Sequence, residues 1–200
     1  MTLASISALV YLAFVAVFLA IRGVFMRRMR REKAVSRNDL LDRVLVLLVG
    51  IGQIVLPIVY QRSASLLHVA DRPQFLACMA LGAVAMLAGL WLFRRSHVDL
   101  GDSWSVTLEL NADHRLVTNG VYRRVRHPMY SSFLVLGVGQ ALLVPNWIAG
   151  LSGLACVLLL IAVRLPREEA MMIEQFGDQY RDYRSRTGAV VPRRPGAAAS

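Results

Sequence analysis

The chain has 200 residues, of which 56% are hydrophobic and 18% charged, and its formal net charge is +10. A mean hydropathy of +0.50 excludes a disordered polar chain and argues against an ordinary water-soluble domain. A pI near 10.7 would suit a nucleic-acid binder. Here, however, the arginines sit in loops between apolar runs and no basic face with interleaved aromatics appears, so membrane topology explains the charge better and no nucleic-acid partner is expected.

Five apolar runs follow in chain order, and each predicts a helix crossing a bilayer. Leu3 to Ile21 is the first. It has no basic stretch before it and no small-residue cleavage site after it, so it reads as a retained helix rather than a signal peptide. Val44 to Tyr60 is the second and Phe75 to Phe93 the third. Met129 to Val144 and Trp147 to Val163 are the fourth and fifth, separated by the helix-breaking pair Pro145-Asn146. Between Pro128 and Val163 there is no charged side chain. Two helices of roughly 16 residues, each about 24 Å long, would cross and return there as a hairpin. Only helices fit, because backbone in lipid must satisfy its own hydrogen bonds.

Arginine placement predicts the orientation. The first loop carries Arg22, Arg27, Arg28, Arg30, Arg31, Lys33, Arg37 and Arg43, and the third carries Arg94, Arg95, Arg115, Arg123, Arg124 and Arg126. The second loop holds only Arg62 and Arg72, and the Pro145-Asn146 turn holds none. The positive-inside rule then places the N-terminus outside and the first loop, third loop and C-terminal tail in the cytoplasm. In a bacterium that membrane would be the inner one.

Several motifs have plain readings. Cys78 and Cys156 fall inside apolar runs with no Cys/His cluster near them, so they read as small buried hydrophobes, and no metal site is expected. Gly137-Val138-Gly139-Gln140 follows no strand, which removes a dinucleotide-loop reading; with Ala85 and Gly89 it predicts close helix packing. His68 and His97 read as solvated loop residues.

Two polar clusters bracket the hairpin and so come to one membrane face. Arg126-His127-Pro128-Met129-Tyr130 opens it, and Arg164-Leu165-Pro166-Arg167-Glu168-Glu169 follows it. Charged groups at a membrane boundary cost free energy to desolvate, which makes them site candidates. Pro128 suits a first helical turn. Arg164 and Glu168 are four residues apart and share a helical face, although Pro166 between them predicts a kink. Beyond them the fifth helix is expected to run on into water as far as Tyr183, with Ile173 and Phe176 as apolar contacts. Residues 193–200 read as a disordered tail.

The stretch Leu116-Val117-Thr118-Asn119-Gly120-Val121-Tyr122, continuing through Arg126-His127-Pro128-Met129-Tyr130, resembles the isoprenylcysteine carboxyl methyltransferase family, within a wider group of small membrane methyltransferases that includes phospholipid methyltransferases. The second half fits the same pattern, with Arg164, then Glu168-Glu169, then Phe176-Gly177-Asp178-Gln179-Tyr180 and Tyr183. The resemblance covers roughly Trp104 to Pro192. It implies an enzyme that binds S-adenosylmethionine through Glu109, His114, Arg115, Leu116, Val117, Tyr122, His127, Pro128, Met129, Tyr130 and Glu168. It places Arg164 and Glu169 on the acceptor side, with Arg164 and Glu168 as the catalytic pair. The implied acceptor is a lipophilic or prenylated carboxylate.

This chemistry suits the residues. A carboxylate nucleophile is ionised near neutral pH, so its methylation needs no general base. Positioning and removal of water are the protein's tasks, and an arginine fork suits the orienting of a carboxylate. A soluble cofactor and a lipophilic acceptor can meet only at the interface, where both motifs sit. Three alternatives stay open: N- or S-methylation of another lipid acceptor, an NADPH-dependent reductase of the sterol type, whose Arg-His-Pro-x-Tyr is similar, and a non-enzymatic membrane protein. The expected fold is therefore an all-α integral membrane bundle of five transmembrane helices forming one integrated domain. Residues 1–93 hold three helices. Residues 94–192 hold the cofactor loop, the hairpin and a C-terminal catalytic helix, which together build a cytoplasmic site.

Overall fold

The computed structural model of this chain describes residues 2–29, 40–62, 67–101 and 116–193. All regular secondary structure among them is helical. The helices are α1 (Leu3–Met29), α2 (Leu40–Arg62), α3 (Leu76–Leu100), α4 (Pro128–Leu143) and α5 (Trp147–Arg186). Four of them, α1, α2, α3 and α5, are long and apolar enough to cross a membrane. Helix α4 has 16 residues, which at 1.5 Å each span about 24 Å.

The apolar runs mark the helices well, but the helices outrun them. Helix α3 continues seven residues past Phe93, because Arg94, Arg95, Ser96, His97 and Val98 are all compatible with helix and no breaker intervenes before Gly101. His97 is therefore not a solvated loop residue. It is buried in α3, where Nδ1 meets the Phe93 carbonyl at 2.8 Å and the ring lies against Phe25 and Phe93. His68 is exposed, in a short turn beside Asp71. Helix α2 contains a π-helical turn over Ile51–Val55.

The bundle is centred on α4, which packs closely against α3 on one side and α5 on the other. Small residues set this spacing. A side chain at Gly89 would run into Leu136, and one at Gly139 would run into Met86, so α3 and α4 approach at near-backbone distance. Tyr11 and Val15 of α1 join Met86, Leu90, Leu136 and Leu143 in one buried cluster. Leu45 and Val49 of α2 join Tyr130, Val157 and Leu160 in a second. Between the clusters, Gln140 Nε2 donates to the carbonyls of Gly52 (2.8 Å) and Ala149 (2.7 Å), which ties α4 to the π turn of α2 and to α5.

The α4–α5 hairpin turns at Val144–Asn146, as Pro145-Asn146 predicts. Asn146 caps α5 by accepting from the Ala149 amide at 2.8 Å. At the other end of α5, Pro166 leaves the helix unbroken, and the interruption comes at Gly177 instead (φ 51, ψ −126). That backbone conformation is open to glycine and strained for other residues.

A buried carboxylate pair at the mouth of the helical hairpin

His127 is the N-cap of α4 and Pro128 its first residue, so the chain's own geometry starts the helix here. Tyr130 falls within the first turn and faces α5. Helix α5 passes alongside and presents Arg164 and Glu168 on one face, with Glu169 turned about 100° away from Glu168. The two acidic neighbours therefore meet different partners.

Glu168 is held from three directions. Arg164 Nε donates to its Oε1 at 2.7 Å, and the Tyr130 hydroxyl donates to the same oxygen at 2.6 Å. His127 Nδ1 lies 3.5 Å from its Oε2. The Arg164 and Glu168 side chains are only 13% and 18% exposed, so this is not the solvated i,i+4 pair that the spacing alone would permit. Burial opposes charge on Glu168, but His127, Arg164 and Tyr130 outweigh it, and its pKa falls below the ordinary carboxylate value.

Glu169 is held by a separate set. Arg126 directs Nε (2.9 Å) and Nη2 (2.5 Å) at its Oε1, and Arg184 Nε approaches Oε2 at 3.2 Å. His127 Nε2 lies 3.5 Å from Oε1. Burial again opposes the charge, but His127 and Arg126 prevail and bring the Glu169 carboxyl down to about 2. His127 itself sits between the two carboxylates. Burial lowers its basicity, yet the hydrogen bonding and charge of Glu168 and then Glu169 outweigh that and raise its pKa above 6.5. Its ring stacks on that of Tyr130 at 5.7 Å.

The described motif residues are thus brought together at one end of the hairpin. Tyr122 is buried, but its hydroxyl donates to the Ser96 carbonyl at 3.2 Å and its own carbonyl accepts from the Tyr183 hydroxyl at 2.6 Å. It anchors the chain ahead of α4. Leu116 and Val117 are half-buried, and Met129 also lies at the start of α4. Glu109, His114 and Arg115 lie outside the described residues. Arg126, Arg184 and Tyr183 were not picked out as site residues by motif reading. Arg184 reaches Glu169 only because the chain bends at Gly177; along a straight helix it would stand about 22 Å away. The lone glycine in a helical pattern was the available signal.

His127 Nε2 is buried and, at 3.5 Å from Glu169 Oε1, makes no short hydrogen bond among the described residues. A polar group approaching more closely than Glu169 would find a partner there, beside the ionised Glu168. The described residues contain no cluster of histidine, cysteine or acidic side chains able to hold a metal ion.

Comparison with known proteins bears out the resemblance. Residues 80–174, which include α4 and both carboxylates, match the isoprenylcysteine carboxyl methyltransferase (ICMT) family. The chain is 34% identical over 115 residues to protein-S-isoprenylcysteine O-methyltransferase of Schizosaccharomyces pombe, covering 56% of this chain and 48% of that protein. It is 33% identical over 113 residues to protein-S-isoprenylcysteine O-methyltransferase B of Arabidopsis thaliana, covering 56% and 57%. For the Saccharomyces cerevisiae enzyme of the same name the identity is 29% over 117 residues, covering 58% and 49%. The chain spans about half the length of the relatives it matches.

Proposed function

We propose that this protein is an S-adenosylmethionine-dependent membrane methyltransferase acting on a lipophilic acceptor carboxylate of the isoprenylcysteine type. The observation that carries this reading is Glu168, a largely buried ionised carboxylate shared by Arg164, Tyr130 and His127 at the mouth of a charge-free hairpin. The match to methyltransferase relatives supports it.

When bound, S-adenosylmethionine supplies an electrophilic methyl group on a sulfonium. His127, Pro128, Met129, Tyr130, Leu116, Val117 and Glu168 would hold it, with Glu109, His114 and Arg115 from the preceding segment. Glu168 offers negative charge to a cationic ligand, and the helix α4 N-terminus directs its amides toward anionic groups. Arg164 orients the acceptor carboxylate, which is already ionised and requires no base. Its present partner Glu168 keeps the guanidinium from being a lone buried charge until an acceptor arrives. The tight, largely buried setting keeps water from the reacting groups. Arg164 disfavours a cationic headgroup as acceptor, which favours a carboxylate over a phospholipid amine.

The arrangement in the membrane belongs to the same reading. Five crossings, with the N-terminus outside and the C-terminus in the cytoplasm, accord with the arginine bias and with outward-facing apolar residues such as Leu47, Leu81, Trp91 and Leu158. At about 24 Å, α4 is shorter than a hydrocarbon core, so its mouth lies where a lipid-borne acceptor meets the aqueous phase. Labelling of cysteines introduced at Thr2 and Ala198 tests this. Labels on opposite sides are expected, and labels on the same side would refute an odd number of crossings.

Isothermal titration of the detergent-purified protein decides the activity class. S-adenosylhomocysteine should bind and NADPH should not. Transfer of labelled methyl to a synthetic farnesylcysteine, with none to a phosphatidylethanolamine vesicle, is the expected acceptor result. NADPH binding without S-adenosylhomocysteine binding would assign a reductase, and binding of neither would remove the enzymatic reading.

A further inference from the structure

Four consecutive carbonyls beyond the end of α5 all accept hydrogen bonds from one short segment at the start of α4. The Thr187 carbonyl accepts from the Arg126 guanidinium. The Gly188 carbonyl accepts from the Arg126 amide at 2.8 Å and the Ala189 carbonyl from the His127 amide at 2.9 Å. The Val190 carbonyl accepts from Ser131 Oγ at 2.6 Å. Val125 and Gly188 form a parallel bridge at the same place. Amides preceding a helix have no partner within it, and here the returning C-terminal chain provides partners for those of Arg126 and His127.

Arg126 closes this arrangement. Its guanidinium, whose side chain is only 8% exposed, donates to the Thr187 carbonyl, to the Arg184 carbonyl at 3.2 Å and to Glu169. Glu169 is in turn engaged by Arg184. One buried cation thus joins the start of α4, the carboxylate on α5 and the chain beyond α5. His127 has a non-helical N-cap backbone (φ −123, ψ 64) and no side-chain cap of its own, so its position depends on these contacts from more than 60 residues further along the chain.

We propose that Thr187–Val190 is a clasp, latched by Arg126 and Glu169, that holds His127 and Tyr130 in the geometry that binds the cofactor, and that Arg126 and Glu169 are positioning residues that touch neither substrate. The second half of the statement rests on the methyltransferase reading. It also assigns Glu169 a different task from the acceptor contact that the family resemblance implies.

The test compares chains ending after Arg193 and after Arg186, together with Glu169→Gln and Arg126→Lys in the full chain. Hydrogen exchange of the peptide containing the Arg126 and His127 amides needs no ligand. It should be unchanged in the chain ending at Arg193 and faster by about tenfold or more in the chain ending at Arg186, while the middle of α4 stays protected. Arg126→Lys, which keeps the charge but cannot make the fork, should give an intermediate rate and serves if the shorter chain does not fold. In titration, Glu169→Gln should weaken S-adenosylhomocysteine binding about tenfold, with the KM for farnesylcysteine unchanged. Unaltered exchange at Arg126 and His127 in both the chain ending at Arg186 and Arg126→Lys would overturn the clasp. A raised farnesylcysteine KM with unaltered S-adenosylhomocysteine affinity in Glu169→Gln would return Glu169 to the acceptor. If the unsubstituted protein binds no S-adenosylhomocysteine, the methyltransferase reading fails, and the exchange measurement still decides whether the clasp exists.

Discussion

Replacing Arg164 by alanine tests the division of labour within the Arg164–Glu168 pair. In the structure the guanidinium donates to Glu168 Oε1 at 2.7 Å, and both side chains are largely buried. Removing one member of a buried ion pair costs about 3–5 kcal/mol when it strands the other charge. Glu168 is not stranded here, because the Tyr130 hydroxyl still donates to it at 2.6 Å and His127 Nδ1 lies 3.5 Å away. The folding cost should therefore be nearer the ~1–3 kcal/mol of a single lost charge-assisted contact. The catalytic cost is separate. Loss of the fork that orients the acceptor should remove about 2–4 kcal/mol of transition-state stabilisation, or roughly 30- to 1,000-fold in kcat/KM. S-adenosylhomocysteine affinity should stay within about threefold, since Glu168 keeps two of its partners. Arg164→Lys should also be poor, because an ammonium is a point charge without the planar fork. Steady-state kinetics with farnesylcysteine and cofactor both varied, alongside titration, reads each quantity separately. Near-normal kcat/KM in Arg164→Ala would show that the pair is structural and refute the acceptor role.

Glu168→Ala should have the opposite pattern, with S-adenosylhomocysteine affinity falling about tenfold or more, and Tyr130→Phe should follow it in the same direction through loss of the 2.6 Å hydrogen bond; His68→Ala should bind normally, and equal affinity across all three variants would remove the site from this end of the bundle. Thermal stability in detergent should depend on pH in a defined way. The Glu169 carboxyl lies at about 2 against an ordinary 4.5, so its contribution is complete above pH 4.5 and is lost as pH falls toward 2; His127 lies above 6.5, so its contribution is complete below that value and is lost as pH rises through its raised pKa. The melting midpoint should decline on both sides of that window, and Glu169→Gln should shrink the acid limb; an unaltered acid limb would show that the carboxylate does not carry it. Gly177→Ala should cost about 1–3 kcal/mol through backbone strain alone, since the space around an added Cβ is open, and an unchanged melting midpoint would contradict the left-handed bend.

Hydrophobic runs and breakers were enough to mark the apolar helices, four of them long enough to cross a membrane, and the Pro145-Asn146 turn, because an apolar helix satisfies its backbone internally and needs only length and apolarity. Helix ends were less legible. Nothing in the composition of Arg94 to Val98 distinguishes an aqueous loop from a helical extension, and it is tertiary packing, including that against Phe25, that buries His97. Pro166 looked like the break, yet the helix runs through it, and Gly177 takes the positive φ instead.

For the site, local spacing already placed Arg164 and Glu168 on one face and Pro128 at a helix start, since both follow from the 3.6-residue period and from proline's fixed φ. The motifs also sufficed to suggest what kind of cofactor that mouth would take. Spacing could not assign Glu168 to Arg164, Tyr130 and His127 while assigning its neighbour Glu169 to Arg126 and Arg184. Those partners come from three separate stretches of chain, and which carboxylate each meets depends on the rotation of α5 against α4 and on the bend at Gly177. The pairing of Arg126 and His127 with Gly188 and Ala189 is likewise a long-range contact with no period or propensity to announce it. Local physics selected the helices and the chemistry of their ends, and tertiary packing alone decided which charges those ends share.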